Sequence, residues 1–208
     1  MIPGYLLVVH NTLLAVCLIG AWAVISLYAV LTLAGYLYAR ESARGAGPPD
    51  PEEWPFVSIL VPAHNEEIVI AGTLESLLHL DYPHHRMEII VIDDASTDRT
   101  REILEHFMAT DRRVKLVAIP HGFGGKGKSH ALNVGLRHAQ HDLIVVYDAD
   151  NSPEPQSLQR LVREMVDQPE LAAVVGKVRT LNRATNFLTR CINVEFISFQ
   201  WIIQAGRW

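Results

Sequence analysis

Between Phe56 and Gln168 short apolar runs alternate with amphipathic stretches, and this rhythm restricts the fold more than any other feature of the chain. "FVSILVP" (Phe56–Pro62), "MEIIVIDD" (Met87–Asp94), "VKLVAI" (Val114–Ile119) and "DLIVVYDAD" (Asp142–Asp150) read as strands buried on both faces. Each is followed by a stretch of helical period: "EIVIAGTLESLLHL", "TDRTREILEHFMAT", "KSHALNVGLRHAQ" and "EPQSLQRLVREMVDQ". Strands alternating with helices of this length predict parallel βαβ units, hence an α/β fold with a mostly parallel sheet and helices on both faces. "LAAVVGKVRT" (Leu171–Thr180) is expected to add a fifth strand, with a bulge at Gly176.

A different constraint acts before Arg40. From Tyr5 to Tyr38 the chain carries no charged residue. A helix needs about 20 apolar residues to cross the hydrocarbon core, and Leu13–Tyr38 is the best window. A cleaved signal peptide fits poorly, because no basic region precedes the run and the run is too long. Arg40 and Arg44 follow it while no Lys or Arg precedes it, which puts Met1 outside and the rest in the cytoplasm. The expected organisation is a transmembrane helix at 1–40, a Pro/Gly-rich linker at 41–55, an α/β domain at 56–183 and a final helix at 184–208. In that last segment Phe187, Leu188, Cys191, Ile192, Phe196, Phe199, Ile202 and Ile203 recur at helical spacing. The segment reads either as a core-packing helix or as one lying along a membrane surface.

The net charge of −5 and the lack of any basic block argue against nucleic acid as a partner. Cys17 and Cys191 have neither metal-ligand nor disulfide-framework spacing and read as reduced thiols. The ten histidines show no paired helical spacing and suggest no metal site.

Polar motifs close the strands: "VPAHNEE" (Val61–Glu67), "IDDAST" (Ile92–Thr97), "GGKGKSHALN" (Gly124–Asn133) and "YDAD" (Tyr147–Asp150). In parallel sheets ligands bind beyond the carboxyl ends of the strands, so four motifs on one rim describe a binding site. Pro62-Ala63 leaves backbone free to meet a planar base. Glu66 and the pair Asp93/Asp94 offer acceptors for base N–H and ribose hydroxyls, though a helix-start acid and a turn cap are equally ordinary readings. Asp148 and Asp150 point the same way if the strand runs through them. Two such carboxylates repel unless a cation lies between them, and Mg2+ or Mn2+ shared with substrate phosphates is the natural choice.

"GFGGKGKS" (Gly122–Ser129) also fits the phosphate-cradling pattern G-x-x-x-x-G-K-[ST]. That loop ordinarily follows the first strand of its domain, whereas here two strand–helix units with polar ends come first. The match reads as convergence on a composition that holds phosphate.

In this order the motifs resemble those of the family 2 glycosyltransferases, and more narrowly the membrane-bound processive synthases of cellulose, chitin, hyaluronan and poly-N-acetylglucosamine. The resemblance covers Phe56 to about Trp208. It implies a GT-A fold, with Ala63 and Glu66 lining a uridine site and Asp94 on the base or ribose. It also implies Lys128 near the nucleotide, Asn133 closing its motif, Asp148 on the nucleotide and Asp150 holding the divalent metal on the UDP diphosphate. The implied activity is inverting sugar transfer from a UDP-sugar to a growing β-linked polysaccharide, by a bacterial inner-membrane enzyme with its catalytic domain in the cytoplasm. A lipid-linked acceptor or a nucleotide-binding regulatory module are the alternatives. The family's acidic T-E-D or E-D motif, whose Asp is the general base, has no counterpart after Asp150. The terminal "QAGRW" (Gln204–Trp208) copies the family's Q-x-x-R-W but precedes where the base would stand, so the match is read as fortuitous. The expectation is an N-terminal, donor-binding part of a longer enzyme, inactive alone.

Overall fold

The computed structural model describes residues 4–42, 47–178, 185–197 and 199–200. They fall into two units, Pro48–Val174 and the described parts of 1–47 and 175–208.

In the second of these, α1 (Gly4–Ser42) is one uninterrupted helix of 39 residues. It begins earlier than the Leu13 window and runs through His10 and Asn11, whose polar side chains a helix end tolerates. Its stretch Leu7–Tyr38 is long and apolar enough to cross a membrane, and Leu7, Ile19, Trp22 and Leu33 lie exposed around it. At 1.5 Å per residue these 32 residues reach about 48 Å, beyond the ~30 Å of a hydrocarbon core. The other described helix of this unit, numbered last as α6 (Phe187–Phe196), starts with a reciprocal cap: Asn186 Oδ1 accepts the Thr189 N–H at 2.9 Å, and Thr189 Oγ1 accepts the Asn186 N–H at 3.0 Å. Phe187 and Leu188 are exposed on it. The "QAGRW" match lies outside the described residues.

The Pro48–Val174 unit holds β1 (Val57–Ala63), α2 (Ile70–Leu78), β2 (Met87–Asp94), α3 (Thr100–Thr110), β3 (Val114–Ile119), α4 (Lys128–Leu136), β4 (Leu143–Val146) and α5 (Ser157–Asp167). All pairings are parallel and the strand order is β3-β2-β1-β4. The chain thus moves outward from β1 to β3, then returns to β1's other side. Right-handed crossovers put helices from the two directions on opposite faces. Ile70, Leu74 and Leu77 of α2, Leu104 of α3, and Leu158 and Val162 of α5 pack with Ile59, Val61, Ile89 and Val91 on one face. Ala131 of α4 packs with Leu60, Ile90 and Ile92 on the other. Each of these fully buried Ile and Leu side chains contributes about 1.5–3 kcal/mol.

Two strand expectations are corrected. The fourth strand ends at Val146 rather than Asp150, because β1 runs out of donors beside it. Leu60 faces β4 and its carbonyl accepts the Tyr147 N–H at 3.1 Å; the next residue facing that way is Pro62, which has no N–H. The fifth strand does not form over residues 171–178, and residues 179–180 lie outside the described ones. Val-rich sequence becomes a strand only against a neighbour, and Val175 is left 83% exposed.

The stretch before β1 is strapped to the domain. Tyr82 Oη donates to the Pro55 carbonyl at 2.6 Å, Arg86 Nη1 donates to that of Trp54 at 2.7 Å, and Arg163 Nε reaches Asp50 Oδ1 at 2.5 Å. Burial pushes the Tyr82 phenol up to about 12, against the pull of the neighbouring Arg86 charge.

Candidate functional site

The return of the chain past β1 creates a topological switch point between β1 and β4, where a parallel sheet opens a crevice at its carboxyl edge. β2 stays regular through Asp94, so Asp93 and Asp94 point to opposite faces. Asp93, 1% exposed, accepts the Ser96 N–H on Oδ1 at 3.0 Å and lies 3.6 Å from Arg101 Nε. It is engaged in fixing the turn. Asp94, on α4's side, accepts the Gly125 N–H on Oδ1 at 2.9 Å, and its carbonyl lies 2.7 Å from His64 Nδ1.

The loops after β1 and β2 are latched together. Asn65 N–H donates to Ser96 Oγ at 3.1 Å, and Thr97 N–H to Asn65 Oδ1 at 2.8 Å. Glu66 N–H donates to Thr100 Oγ1 at 2.8 Å, and Glu67 N–H to Asp98 Oδ2 at 3.1 Å. Both loops turn on left-handed residues, Asn65 at φ 57° and Ala95 at φ 59°. Asn tolerates that region; Ala does so at a cost of about 1–2 kcal/mol, held in place by the bonds around it.

The glycine loop seats on the end of β2. A Cβ on Gly124 would lie 2.6 Å from Ala95 Cβ and 2.8 Å from Asp94 Oδ1, so only glycine fits there. Gly127, at φ 91°, ends the loop and opens α4 without a side-chain cap. The first amides of α4 and the positive end of its dipole therefore face the rim uncapped. Lys128, the first residue of α4, forms an ion pair with Asp148, each side chain about half exposed.

Beyond Val146 the chain makes a turn, with Asn151 N–H donating to the Asp148 carbonyl at 3.1 Å. Asp148 and Asp150 thus lie on a turn beyond the strand, so strand period does not set where they point. The buried Ala149 pins this turn, its carbonyl accepting from Thr73 Oγ1 of α2 at 2.6 Å. Tyr147 bonds Ser157 Oγ at 3.3 Å, and burial raises its pKa against that hydrogen bond.

Of the sequence candidates, Asp94, Lys128 and Asp148 meet through the glycine loop. Glu66 is half-buried on the adjoining loop. Ala63 is 2% exposed with its methyl in the core, so it presents backbone only. Asn133 is exposed on α4, off the buried stripe of Ala131 and Gly135. His64, Asn65, Ser96, Thr97 and Thr100 are rim residues that sequence reasoning left unassigned; the crowding of turn formers in "HNEE" and "ASTDRT" was the available signal. Asp148 and Asp150 offer hard carboxylate oxygens, and among the described residues no third His, Cys, Asp or Glu joins a cluster. Two carboxylates completed by substrate phosphates suit Mg2+ or Mn2+.

The four-stranded parallel sheet with helices on both faces is a GT-A-like fold. The sequence profile described as "Glycosyl transferase family 2" matches residues 58–205, and the chain belongs to that family. It is 42% identical over 200 residues to the "Probable glycosyltransferase YdaM" of Bacillus subtilis, covering 95% of this chain and 48% of the relative. It is 35% identical over 176 residues to a β-monoglucosyldiacylglycerol synthase of Synechocystis, covering 82% of this chain and 36% of that one. Among solved structures, a mannosyltransferase of Pyrobaculum calidifontis in complex with GDP-Man and Mn2+ superposes with TM-score 0.55 at 33% identity, covering 69% of this chain and 43% of that one. The chain spans about half or less of the length of these curated relatives.

Proposed function

We propose that the whole protein transfers a hexosyl group, with inversion, from a UDP-sugar to the growing end of a β-linked polysaccharide at a bacterial inner membrane. The observation that carries the donor half of this reading is the meeting of Lys128, the uncapped start of α4 and the Asp148–Asp150 turn beside the buried Asp94. Asp94 and the β1 loop with Glu66 accept hydrogen bonds from base and ribose. Lys128 and the α4 amides stabilise the diphosphate as it departs. Asp148 and Asp150 would hold Mg2+ or Mn2+, which supplies Lewis-acid neutralisation of the leaving group. No residue of this chain is assigned the role of general base. The family relationship and the Mn2+ in the mannosyltransferase complex support the metal. The GDP-sugar in that complex makes the choice of uridine a matter for experiment.

Calorimetric titration of the full chain in mild detergent with UDP, GDP and ATP tests it. UDP should bind most tightly, lose affinity with chelator and lose its metal dependence in Asp150→Ala. Lys128→Ala should cost about 1–2 kcal/mol, a charge-assisted hydrogen bond less the ion pair given up. UDP binding indifferent to chelator would refute the metal assignment, and tighter ATP binding abolished by Ser129→Ala would restore the nucleotide-hydrolase reading of "GFGGKGKS".

One observation favours a second reading of the acceptor. The likeness to a glucosyldiacylglycerol synthase points to a lipid hydroxyl. Radiolabelled sugar recovered in the lipid extract, with none in polymer, selects that reading.

α1 is proposed to cross the membrane once and to leave Pro48–Val174 on the cytoplasmic side. Alkaline phosphatase fused after Pro55 should be inactive and green fluorescent protein at the same place bright; the reverse pattern would overturn the orientation.

A further inference from the structure

The Lys128–Asp148 contact has a consequence for the order in which ligands enter. Asp148 is the carboxylate proposed above to face the metal, yet in this structure its Oδ1 is already bonded to a cation, the Lys128 ammonium. Lys128 is set for this by its place as the first residue of α4, on a loop that Gly125 ties to Asp94 at 2.9 Å. Asp148 is set by a turn that Thr73 pins through Ala149. Both anchors are backbone-deep, while the two side chains, 54% and 50% exposed, are free to part. An exposed pair of this kind is worth about 0–1 kcal/mol. It is strong enough to lower the local negative charge and weak enough to yield to a diphosphate, which offers the lysine a doubly charged partner.

We propose that Lys128, through its ion pair with Asp148, keeps the Asp148–Asp150 turn closed to free divalent metal. Metal and nucleotide then enter together, the diphosphate drawing the ammonium off Asp148 as the ion takes its place. The inference rests on the donor-site reading but makes its own demand: one substitution must move metal affinity in opposite directions with and without nucleotide.

The test is Mn2+ binding to the full chain in mild detergent, followed by the electron paramagnetic resonance signal of the free ion. Without nucleotide, Lys128→Met should bind Mn2+ roughly ten- to thirtyfold more tightly than the native chain, the size of one unit charge withdrawn from a divalent ion at about 4–6 Å in water. Lys128→Gln should show the same gain, guarding against a packing artefact of one variant. Adding Asp148→Asn should remove it. With saturating UDP the order should reverse, Lys128→Met holding Mn2+ more weakly than the native chain. An unchanged or lower affinity of both lysine variants for Mn2+ alone, or no Mn2+ binding by any of the proteins, overturns the proposal. A gain in Mn2+ affinity that UDP binding fails to reverse also overturns the proposal, whereas a gain with no UDP binding by any protein refutes the donor-site reading and leaves only the lysine's exclusion of free metal.

Discussion

Glu88→Ala should destabilise the Pro48–Val174 unit by about 3 kcal/mol, mostly the cost of stranding a buried hydroxyl and an amide, with the partly exposed Lys115 adding little. Glu88 lies near the start of β2, at the opposite end of the sheet from the site, and only 6% of its side chain is exposed. Its Oε1 accepts from Ser58 Oγ at 2.5 Å and from the Gln140 N–H at 2.8 Å, and Oε2 accepts from Lys115 Nζ at 2.6 Å. One carboxylate therefore ties β1, β2, β3 and the approach to β4. Truncation leaves a hydroxyl and an amide without their acceptor and Lys115 without its counter-ion. Burial alone pushes the Glu88 pKa up, but the bonds from Lys115, Ser58 and Gln140 outweigh it and leave the pKa below 4.5. A carboxyl whose folded pKa is depressed contributes stability above its unfolded pKa and loses it as pH falls through the folded value. The native chain should thus lose stability from about pH 4.5 downward, and Glu88→Gln should lose less over that interval. Urea unfolding followed by circular dichroism measures both. A loss below 1 kcal/mol for Glu88→Ala would show that the cluster contributes little.

The buried centre of the fold could be read directly from sequence because β1 and β2 are covered on both faces, which leaves continuous apolar runs. The edge could not. β4 stops where Pro62 withholds a donor from it, a fact about its neighbour that "DLIVVYDAD" does not contain. The rim was readable as a set of polar strand ends, since a parallel sheet collects them at one edge whatever the helices between. Which members of the set meet was not. Period 2 through Asp94 sends Asp93 to the other face, and the meeting of Lys128 with Asp148 depends on α4 crossing back over β1. Thr73, which pins the Asp148–Asp150 turn from α2, looks in sequence like any other small polar residue of an amphipathic helix.

Gly124→Ala should cut UDP affinity by about ten- to a hundredfold while leaving the stability of the sheet nearly unchanged. The added methyl would lie 2.6 Å from Ala95 Cβ, 2.8 Å from Asp94 Oδ1 and 3.2 Å from the Asp94 carbonyl carbon. The Asp94 backbone and Ala95 Cβ cannot give way, and Asp94 Oδ1 could do so only by turning off the Gly125 N–H. Ala95 already sits in the left-handed region at φ 59°, and Asp94 is part of the central strand. The loop must lift instead, breaking the bond from Gly125 to Asp94 and moving the start of α4, with Lys128, off the rim. Overpacking of this kind costs about 1–3 kcal/mol. Where binding requires the seated loop, affinity falls by the fraction of molecules that keep it. Gly135→Ala supplies the contrast. Its methyl would lie 2.6 Å from Ile92 Cδ1 and 2.7 Å from Ile92 Cγ1, inside the core between α4 and β2. That substitution should lower stability and leave the rim loop seated. Calorimetry with UDP and urea unfolding on both variants separate the two effects. If Gly124→Ala binds UDP as the native chain does, the seating of the glycine loop on β2 is not what positions Lys128.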